Sequence, residues 1–234
     1  MKPPPAPEAP ACPLCGAGTV LATQAGSREF RRCEACELVS VPRHRQPGDE
    51  QARARYLRHH NLPDDEGYVD FLRPALEAVR RHAPPGGTVL DLGCGPSPVL
   101  AGLLSGAGFR VWAHDPLFGP DLPRALTAAG PPPFDCVVAT EVVEHFREPG
   151  ADLKAALRLL APGGRLVAMT LLLQPDTDLA SWWYARDPTH VAFYSRRTFE
   201  FVARRHGLHL LECDGRRLVV LGAGVLGGPS FAGP

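Results

Sequence analysis

Two pairs of cysteines near the start of the chain have the spacing of a metal site. Cys12 and Cys15 form one Cys-x-x-Cys pair, Cys33 and Cys36 form a second, and seventeen residues separate the pairs. Each pair can wrap two thiolates around one side of a tetrahedral ion, so the pattern predicts a zinc site with four thiolate ligands. Four cysteines leave no open coordination position, which indicates a structural Zn2+ rather than a catalytic one.

A second group of residues combines carboxylates with imidazoles. Glu141, Glu144 and His145 form a Glu-x-x-Glu-His run after an apolar stretch, and His190 lies in a later segment. We call these four residues the carboxylate–histidine cluster. Carboxylate and imidazole groups can together hold a divalent cation such as Mg2+ or Mn2+. Two alternatives stay open: His190 acts as a general base or substrate ligand without a metal, or the group is purely structural.

The segment around His190 is rich in aromatic residues. Residues 181–195, which we call the aromatic loop, read SWWYARDPTHVAFYS. Its rings can form a wall for a flat substrate, although we expect one of the two tryptophans to pack in the core. The candidate wall residues are Trp182, Trp183, Tyr184 and Phe193.

A glycine-rich turn is the first of the elements that must position these groups. Residues 88–97 read TVLDLGCGPS, an apolar strand that breaks at Gly93 and Gly95, where the backbone can turn sharply and a ligand can approach closely. A helix follows from residue 99, so the strand, the turn and the helix N-terminus predict a cradle for a nucleotide-type ligand. Pro98 replaces the third glycine of the dinucleotide fingerprint, which favours a ligand without phosphates.

The next strand ends in an acidic residue. Residues 109–115 read FRVWAHD. Asp115 follows the glycine turn by about 20 residues, the spacing at which nucleotide-binding α/β folds place a carboxylate on ribose hydroxyls. We therefore expect Asp115 to bind a ribose.

Three motifs in this order resemble those of the class I S-adenosylmethionine-dependent methyltransferases. They are LDLGCGP at residues 90–96 followed by Asp115, FDCVVATEVVEH at residues 134–145, and LAPGGRL at residues 160–166. The resemblance covers roughly residues 63–223. It implies a Rossmann-like α/β sheet with an antiparallel last strand, and S-adenosylmethionine as the cofactor.

The resemblance also implies roles for individual residues around that cofactor. It places Asp91, Gly93, Cys94 and Gly95 around the amino-acid part, Asp115 on the ribose, and Thr140 and Glu141 beside the sulfonium.

The Glu-x-x-Glu-His run and the later histidine are similar to those of two metal-dependent groups. These are the ubiquinone-biosynthesis O-methyltransferases and the small-RNA 3′-terminal 2′-O-methyltransferases. By that similarity, a divalent ion bound by Glu141, Glu144, His145 and His190 would polarise an acceptor hydroxyl and lower its pKa.

The chain divides into five predicted parts. They are a disordered tail (1–10), a zinc ribbon (11–42), a basic connector that is partly helical (43–62), a methyltransferase domain (63–223) and a flexible tail (224–234). The ribbon is too short for a core of its own and would fold on its metal, either as a structural element alone or to cover the active site or dock a macromolecule. The arginines of the connector either form a solvated face, or Tyr56, His60 and Asn61 close over the cofactor or substrate.

The remaining elements follow from periodicity and turn residues. We predict a helix over residues 64–82 and another over residues 150–160. A turn at residues 162–164 should lead into a strand over residues 165–173. A last helix starts after Ser195, and a hairpin pairs residues 208–212 with residues 217–221. Residues 116–133 have room for only an abbreviated helix and strand, so the sheet is expected to lack a strand on that edge.

Charge and hydropathy exclude some partner classes. Lys plus Arg and Asp plus Glu both number 25, so no global field points to a nucleic acid or a membrane. No stretch has the apolar length of a membrane span or the core of a secretory signal, and we expect a cytoplasmic protein. The predicted function is O-methylation of a small molecule. The alternatives are an RNA methyltransferase that holds RNA with the ribbon and connector, and a non-catalytic cofactor-binding module.

Overall fold

The computed structural model describes residues 10–57, 62–118 and 134–224. Within these ranges there are ten strands and five helices. The strands are β1 (Thr19–Ala25), β2 (Arg28–Cys33), β3 (Val39–Ser40), β4 (Thr88–Leu92), β5 (Arg110–His114), β6 (Phe134–Thr140), β7 (Leu160–Met169), β8 (Ala192–Phe193), β9 (His209–Cys213) and β10 (Leu218–Gly222). The helices are α1 (Asp49–Tyr56), α2 (Glu66–His82), α3 (Val99–Gly106), α4 (Pro149–Arg158) and α5 (Arg196–Arg205).

The central sheet has six strands in the order β5-β4-β6-β7-β10-β9. Strands β5, β4, β6 and β7 pair in parallel, whereas β10 pairs antiparallel with both β7 and β9. This arrangement confirms the predicted α/β sheet with an antiparallel last strand. Strand β5 forms one edge in the described part of the chain, and residues 119–133 of the predicted abbreviated segment lie outside it.

Both faces of this sheet carry apolar side chains that pack against helices. The inner strands are nearly continuous apolar runs, as expected for parallel strands that are covered on both faces. Helix α2 begins after Asp65, whose side chain caps it by accepting a hydrogen bond from Tyr68 N at 3.1 Å. Its apolar stripe of Leu72, Ala75 and Val79 is fully buried in the core that β4, β6 and β7 share. No helix in the described ranges combines the length and the apolar character that crossing a bilayer requires.

The N-terminal strands form a second sheet that includes a strand from the aromatic loop. Its order is β1-β2-β3-β8, with Val39 of β3 paired to Phe193 of β8. The cysteines of the ribbon belong to the same hydrophobic cluster as Leu90 and Phe134 of the central sheet. The ribbon therefore packs into the main core rather than standing apart from it.

One element differs from the sequence-based expectation. The strand predicted over residues 165–173 instead runs from Leu160 to Met169, so the turn predicted at residues 162–164 lies within its bounds. The pairing of β7 with β6 shifts in register between Phe134 and Cys136, which absorbs the extra residues as an irregularity of the strand. Gly163 has a φ of +78°, a conformation that a bulge allows and that glycine adopts without strain.

Candidate functional site

The glycine turn after β4 lies at the carboxyl end of the parallel strands. The amides of Gly93 and Cys94 donate hydrogen bonds to the carbonyl oxygen of His114 at 2.7 and 3.2 Å. Both Gly93 and Gly95 have positive φ angles, +75° and +66°. A Cβ on Gly93 would lie 2.4 Å from Cγ2 of Val142, so the turn packs directly against the segment that carries Glu141 and Glu144.

Two buried carboxyl groups, those of Asp91 and Asp115, lie near this turn. Asp115 accepts hydrogen bonds from the amide of Gly95 at 3.0 Å and from that of Leu117 at 2.8 Å, one on each oxygen. Each oxygen keeps a second lone pair that can accept a further hydrogen bond. Burial raises the pKa of Asp91 to about 7. A hydrogen bond from the backbone of Ala101 opposes this increase, and the negative charge of Asp115 adds to it.

Cys94, also in this turn, lacks the electropositive surroundings of a reactive cysteine. Burial raises the pKa of its thiol to about 12, and the nearby charges of Asp91 and Asp115 reinforce the shift. A thiol with such a pKa stays protonated and therefore unreactive at neutral pH. Cys94 lies between Gly93 and Gly95 in this turn.

The packing of Gly93 gives a first testable prediction. Replacing Gly93 by alanine combines a positive φ with a clash against Val142, and we expect it to lower the free energy of unfolding by about 3 kcal/mol. Gly95→Ala is the matched control, because a Cβ there meets no described atom within 4 Å, and it should cost only about 1 kcal/mol. Urea unfolding of both variants measures the difference. Equal losses would show that the Val142 contact is not tight.

The carboxylate–histidine cluster begins where β6 ends. Glu141 has a φ of +53°, unusual for a residue with a side chain, and its amide donates to the carbonyl oxygen of Met169 at 2.7 Å. A 3-10 turn over Val143–His145 follows and buries Glu144 completely. Sparsely populated backbone conformations of this kind concentrate at functional sites.

A tyrosine of the aromatic loop joins the two carboxyl groups. The hydroxyl of Tyr184 lies 2.7 Å from Oε1 of Glu144, 3.0 Å from Oε2 of Glu141 and 3.1 Å from Oγ1 of Thr170. Since a hydroxyl has one proton, it can donate to only one of these oxygens at a time. Oε2 of Glu144 and Oγ1 of Thr140 are buried with no hydrogen-bond partner among the described residues.

Burial shifts the pKa values of both carboxyl groups towards neutrality. It raises the pKa of Glu141 to about 8, with the charge of Glu144 adding to the effect and a hydrogen bond from Tyr184 opposing it. It raises the pKa of Glu144 to about 7, again against a hydrogen bond from Tyr184. Desolvation of both carboxyl groups thus outweighs the opposing effects of the Tyr184 hydrogen bonds and, at Glu141, of the charge of Arg217.

The two histidines of the cluster have the same orientation, with Nδ1 on a backbone carbonyl oxygen and the Nε2 lone pair left to bind a ligand. Nδ1 of His145 lies 2.9 Å from the carbonyl oxygen of Thr189, and Nδ1 of His190 lies 2.8 Å from that of Tyr184. A carbonyl can only accept, so each Nδ1 carries the proton and each Nε2 keeps a lone pair. Burial lowers the pKa of both rings, that of His190 to about 3 with a further contribution from His145, so both imidazoles are neutral at physiological pH.

Three of the four cluster residues have the arrangement of a metal site. The ligand atoms of Glu144, His145 and His190 all lie within 4.8 Å of one another. A backbone carbonyl on the second nitrogen of a histidine is the usual partner of a metal-ligating imidazole. Glu141 is not part of this group of three and is connected to it through Tyr184.

The aromatic loop provides a single exposed ring face. Tyr184 and Phe193 are buried, and Trp182 packs against both at centroid distances of 5.2 and 5.7 Å. Trp183 is 64% exposed and contacts Tyr184 edge-on at 5.5 Å. One tryptophan therefore packs in the core, as expected, and the other is free to contact a ligand.

The connector reaches the cluster through α1. The ring of Tyr56 contacts that of His145 edge-on, with centroids 5.0 Å apart. Both Nε and Nη2 of Arg55 contact Oδ2 of Asp187 in the aromatic loop, at 2.9 and 2.8 Å. His60 and Asn61, the other predicted contacts of the connector, lie outside the described residues.

The four N-terminal cysteines converge as predicted. The sulfur atoms of Cys12 and Cys36 are 3.6 Å apart, those of Cys15 and Cys33 are 3.4 Å apart, and all four lie within 4.8 Å of one another. Zinc–sulfur bonds of 2.3 Å place tetrahedral ligands about 3.8 Å apart, so the donor set fits Zn2+. The thiols form no disulfides.

Comparison with known proteins gives a family and several relatives. A family model described as a methyltransferase domain matches residues 28–212. The ubiquinone biosynthesis O-methyltransferase of Caulobacter sp. (strain K31) is 34% identical over 141 residues, which cover 52% of this chain and 48% of the relative. That of Xylella fastidiosa (strain 9a5c) is 32% identical over 179 residues, covering 61% and 69%. The chain thus spans about half the length of the first of these relatives.

A solved structure has a similar fold. It is a putative methyltransferase in complex with the Trm112 methyltransferase activator of Haloferax volcanii, with a TM-score of 0.52 and 19% sequence identity. The match covers 73% of this chain and 96% of the other. At this identity the likeness concerns the fold alone.

Proposed function

The chain belongs to the methyltransferase domain family, and we propose that it transfers the methyl group of S-adenosylmethionine to a hydroxyl group of a small, flat molecule. In this reaction the methyl carbon forms a bond to the acceptor oxygen while its bond to sulfur breaks. The sulfonium becomes a neutral thioether, and the hydroxyl proton passes to a water molecule at the carboxylate–histidine cluster and from there to solvent. Such an in-line displacement mainly requires alignment of the two reactants and loss of that proton.

The observation that carries the proposal is the position of the cluster beside the glycine turn. Gly93 packs on Val142, which lies between Glu141 and the 3-10 turn that contains Glu144 and His145. The cofactor side and the acceptor side are therefore neighbours at the carboxyl ends of β4 and β6, where open α/β sheets bind their ligands.

On the cofactor side, the turn residues and Asp115 fit S-adenosylmethionine. The free lone pairs of the Asp115 carboxylate can accept hydrogen bonds from the two ribose hydroxyls. Asp91, Gly93, Cys94 and Gly95 would surround the amino-acid part, with Gly95 leaving room for a close approach. Thr140, whose hydroxyl lacks a partner in the described structure, and Glu141 would flank the sulfonium.

On the acceptor side, the geometry favours assistance by a divalent cation over His190 alone. An imidazole with a pKa of about 3 is too weak a base to remove a proton from an ordinary hydroxyl. The two Nε2 lone pairs and the unpartnered oxygen of Glu144 fit a divalent cation, which Glu144, His145 and His190 would hold. A bound cation such as Mg2+ or Mn2+ would lower the pKa of an acceptor hydroxyl.

The surroundings support a small molecule as the acceptor. The exposed ring of Trp183 lies next to Tyr184 and can stack on a flat acceptor. The relatives named ubiquinone biosynthesis O-methyltransferase act in the making of a small molecule, in line with this acceptor class. Equal numbers of basic and acidic residues give no global attraction for RNA.

The proposal is tested by a transfer assay with purified protein that contains its zinc. The protein is incubated with S-adenosylmethionine labelled in its methyl group and a panel of phenols and catechols, with and without added Mg2+ or Mn2+. A pool of structured RNA serves as the competing acceptor. We expect label in a hydroxylated small molecule, at a rate that the divalent cation raises at least about tenfold.

Two results would contradict the proposal. Label found only in RNA would replace the small-molecule acceptor by a nucleic acid. The second result is transfer to a phenol at the same rate in samples freed of Mg2+ and Mn2+, with zinc content unchanged. It would show that the reaction needs no divalent cation and that the cluster residues themselves deprotonate the acceptor.

A further inference from the structure

An arginine of the ribbon contacts the backbone of the aromatic loop. Arg28 is the first residue of β2 and follows a two-residue hairpin turn after β1. Its Nη1 donates to the carbonyl oxygens of Ala185 and of Asp187, the latter at 2.8 Å, and its Nη2 donates to the carbonyl oxygen of His190 at 2.6 Å. One guanidinium thus binds three carbonyl groups within residues 185–190 of the loop.

These contacts bear directly on the orientation of His190. Nδ1 of His190 is held by the carbonyl oxygen of Tyr184, the residue next to Ala185. Arg28 binds the carbonyl groups of both Ala185 and His190. It therefore fixes residues 184–185, which hold the ring of His190, relative to the backbone of His190. The direction of the Nε2 lone pair therefore depends on a residue 162 positions earlier in the chain.

Apolar packing places the hairpin against the same loop. Phe30 of β2 is buried in a cluster with Tyr184 and Phe193, and its ring lies 5.8 Å from that of Phe193. The pairing of β3 with β8 continues the ribbon sheet into the loop. On the other side, Arg55 of α1 binds the side chain of Asp187. The stretch that leads to His190 is held between the ribbon and α1.

We propose that Arg28 is a positioning residue of the acceptor site and that the ribbon acts as one wall of this site. The proposal rests on the proposed function, because it concerns the residues that would bind the acceptor. A planar guanidinium with five N–H donors can satisfy three diverging carbonyl groups at once, whereas the single nitrogen of a lysine cannot reach them all.

The experiment compares Arg28→Ala and Arg28→Lys with Arg31→Ala as the matched control. Arg31 lies on the same strand and is also largely buried, but among the described residues its side chain hydrogen-bonds Thr19 and Glu29 alone, both within the ribbon. Zinc content is measured for every variant. For Arg28→Ala we expect kcat to fall about 10- to 100-fold and the Kd for S-adenosylmethionine to change less than about twofold. Arg28→Lys should fall in between, and Arg31→Ala should stay within about threefold of the unchanged protein in kcat.

Two further readouts separate positioning from general destabilisation. Added guanidinium ion at millimolar concentration should restore part of kcat in Arg28→Ala and have no such effect on Arg31→Ala. Hydrogen exchange of peptides from residues 182–191 should become at least about tenfold faster in Arg28→Ala, whereas peptides from residues 88–98 should exchange as before. This readout requires no acceptor, so it tests the contact even where the transfer assay fails.

Three outcomes would overturn the proposal. One is unchanged exchange of residues 182–191 in Arg28→Ala. Another is an equal loss of kcat in Arg28→Ala and Arg31→Ala with no rescue by guanidinium. The third is a loss of S-adenosylmethionine binding in Arg28→Ala that matches the loss of kcat, which would assign Arg28 to the stability of the whole protein.

Discussion

Replacing His190 by alanine is expected to lower kcat by about 100- to 10,000-fold, the range over which a positioned acid–base or ligand group contributes to proton loss. The Kd for S-adenosylmethionine should change less than about twofold, because His190 contacts Tyr184 and His145 on the acceptor side rather than the glycine turn. Steady-state kinetics together with calorimetric titration of the cofactor measure both quantities on the same samples.

The physical reason lies in the protonation state of the ring. Burial and the neighbouring His145 keep His190 neutral, and its Nδ1 proton is held by the carbonyl oxygen of Tyr184. The Nε2 lone pair is therefore always available to a cation or an acceptor hydroxyl. Alanine removes that lone pair. A cation held by Glu144, His145 and His190 would then lose one of its three ligands.

The control for this prediction is His209→Ala, a histidine exposed on β9 at the far edge of the sheet. It should leave kcat within about threefold of the unchanged protein. Activity of His190→Ala within the same threefold range would show that the cluster has no part in the reaction.

The local motifs of the chain could be identified from the sequence because their chemistry depends on near neighbours. The glycine turn needs Gly93 and Gly95 at positive φ, and the structure has them there. The spacing of the cysteines likewise brings Cys12 and Cys36 to 3.6 Å from each other. The glycine turn and each Cys-x-x-Cys pair are built from a few adjacent residues, so their types carry the information, and a shared metal explains why the two pairs meet across 24 positions.

The contacts that assemble the acceptor side could not be predicted. Tyr184 was expected in an aromatic wall, yet its hydroxyl bridges Glu141 and Glu144 from 40 residues and more along the chain. Arg28 reaches His190 across 162 residues. Such pairs depend on how two sheets pack, and no local spacing signals them. The single sequence shows only an arginine at the start of a strand.

The boundary of β7 illustrates a different limit. A Pro-Gly-Gly run is a strong turn signal, and although β7 extends through residues 162–164, its pairing with β6 skips from Leu160 to Arg165. The apolar residues that follow, such as Leu166 and Val167, are buried between neighbouring strands. The glycines therefore keep their local preference, with Gly163 at a φ of +78°, and the strand accommodates them as a bulge between Leu160 and Arg165.

The second large effect is expected on the cofactor side, where Asp115→Ala should raise the Kd for S-adenosylmethionine at least about 30-fold. Each hydrogen bond to a charged group contributes about 1.5–3 kcal/mol, and the ribose would lose both of its bonds to this carboxylate. Asp115→Asn keeps one accepting oxygen and should lose less. Because Asp115 also accepts hydrogen bonds from Gly95 and Leu117, unfolding curves of each variant verify that the turn remains folded.

Calorimetric titration of the zinc-loaded protein with S-adenosylmethionine and S-adenosylhomocysteine tests most directly that the glycine turn and Asp115 form the cofactor site. The control is Asp70→Ala, which removes an exposed carboxylate of α2 that is paired with Arg73. We predict one binding site with micromolar Kd for the unchanged protein and for Asp70→Ala, and at least about 30-fold weaker binding for Asp115→Ala. Equal affinity of Asp115→Ala and the unchanged protein would contradict this assignment, as would a folded, zinc-loaded sample that binds neither ligand.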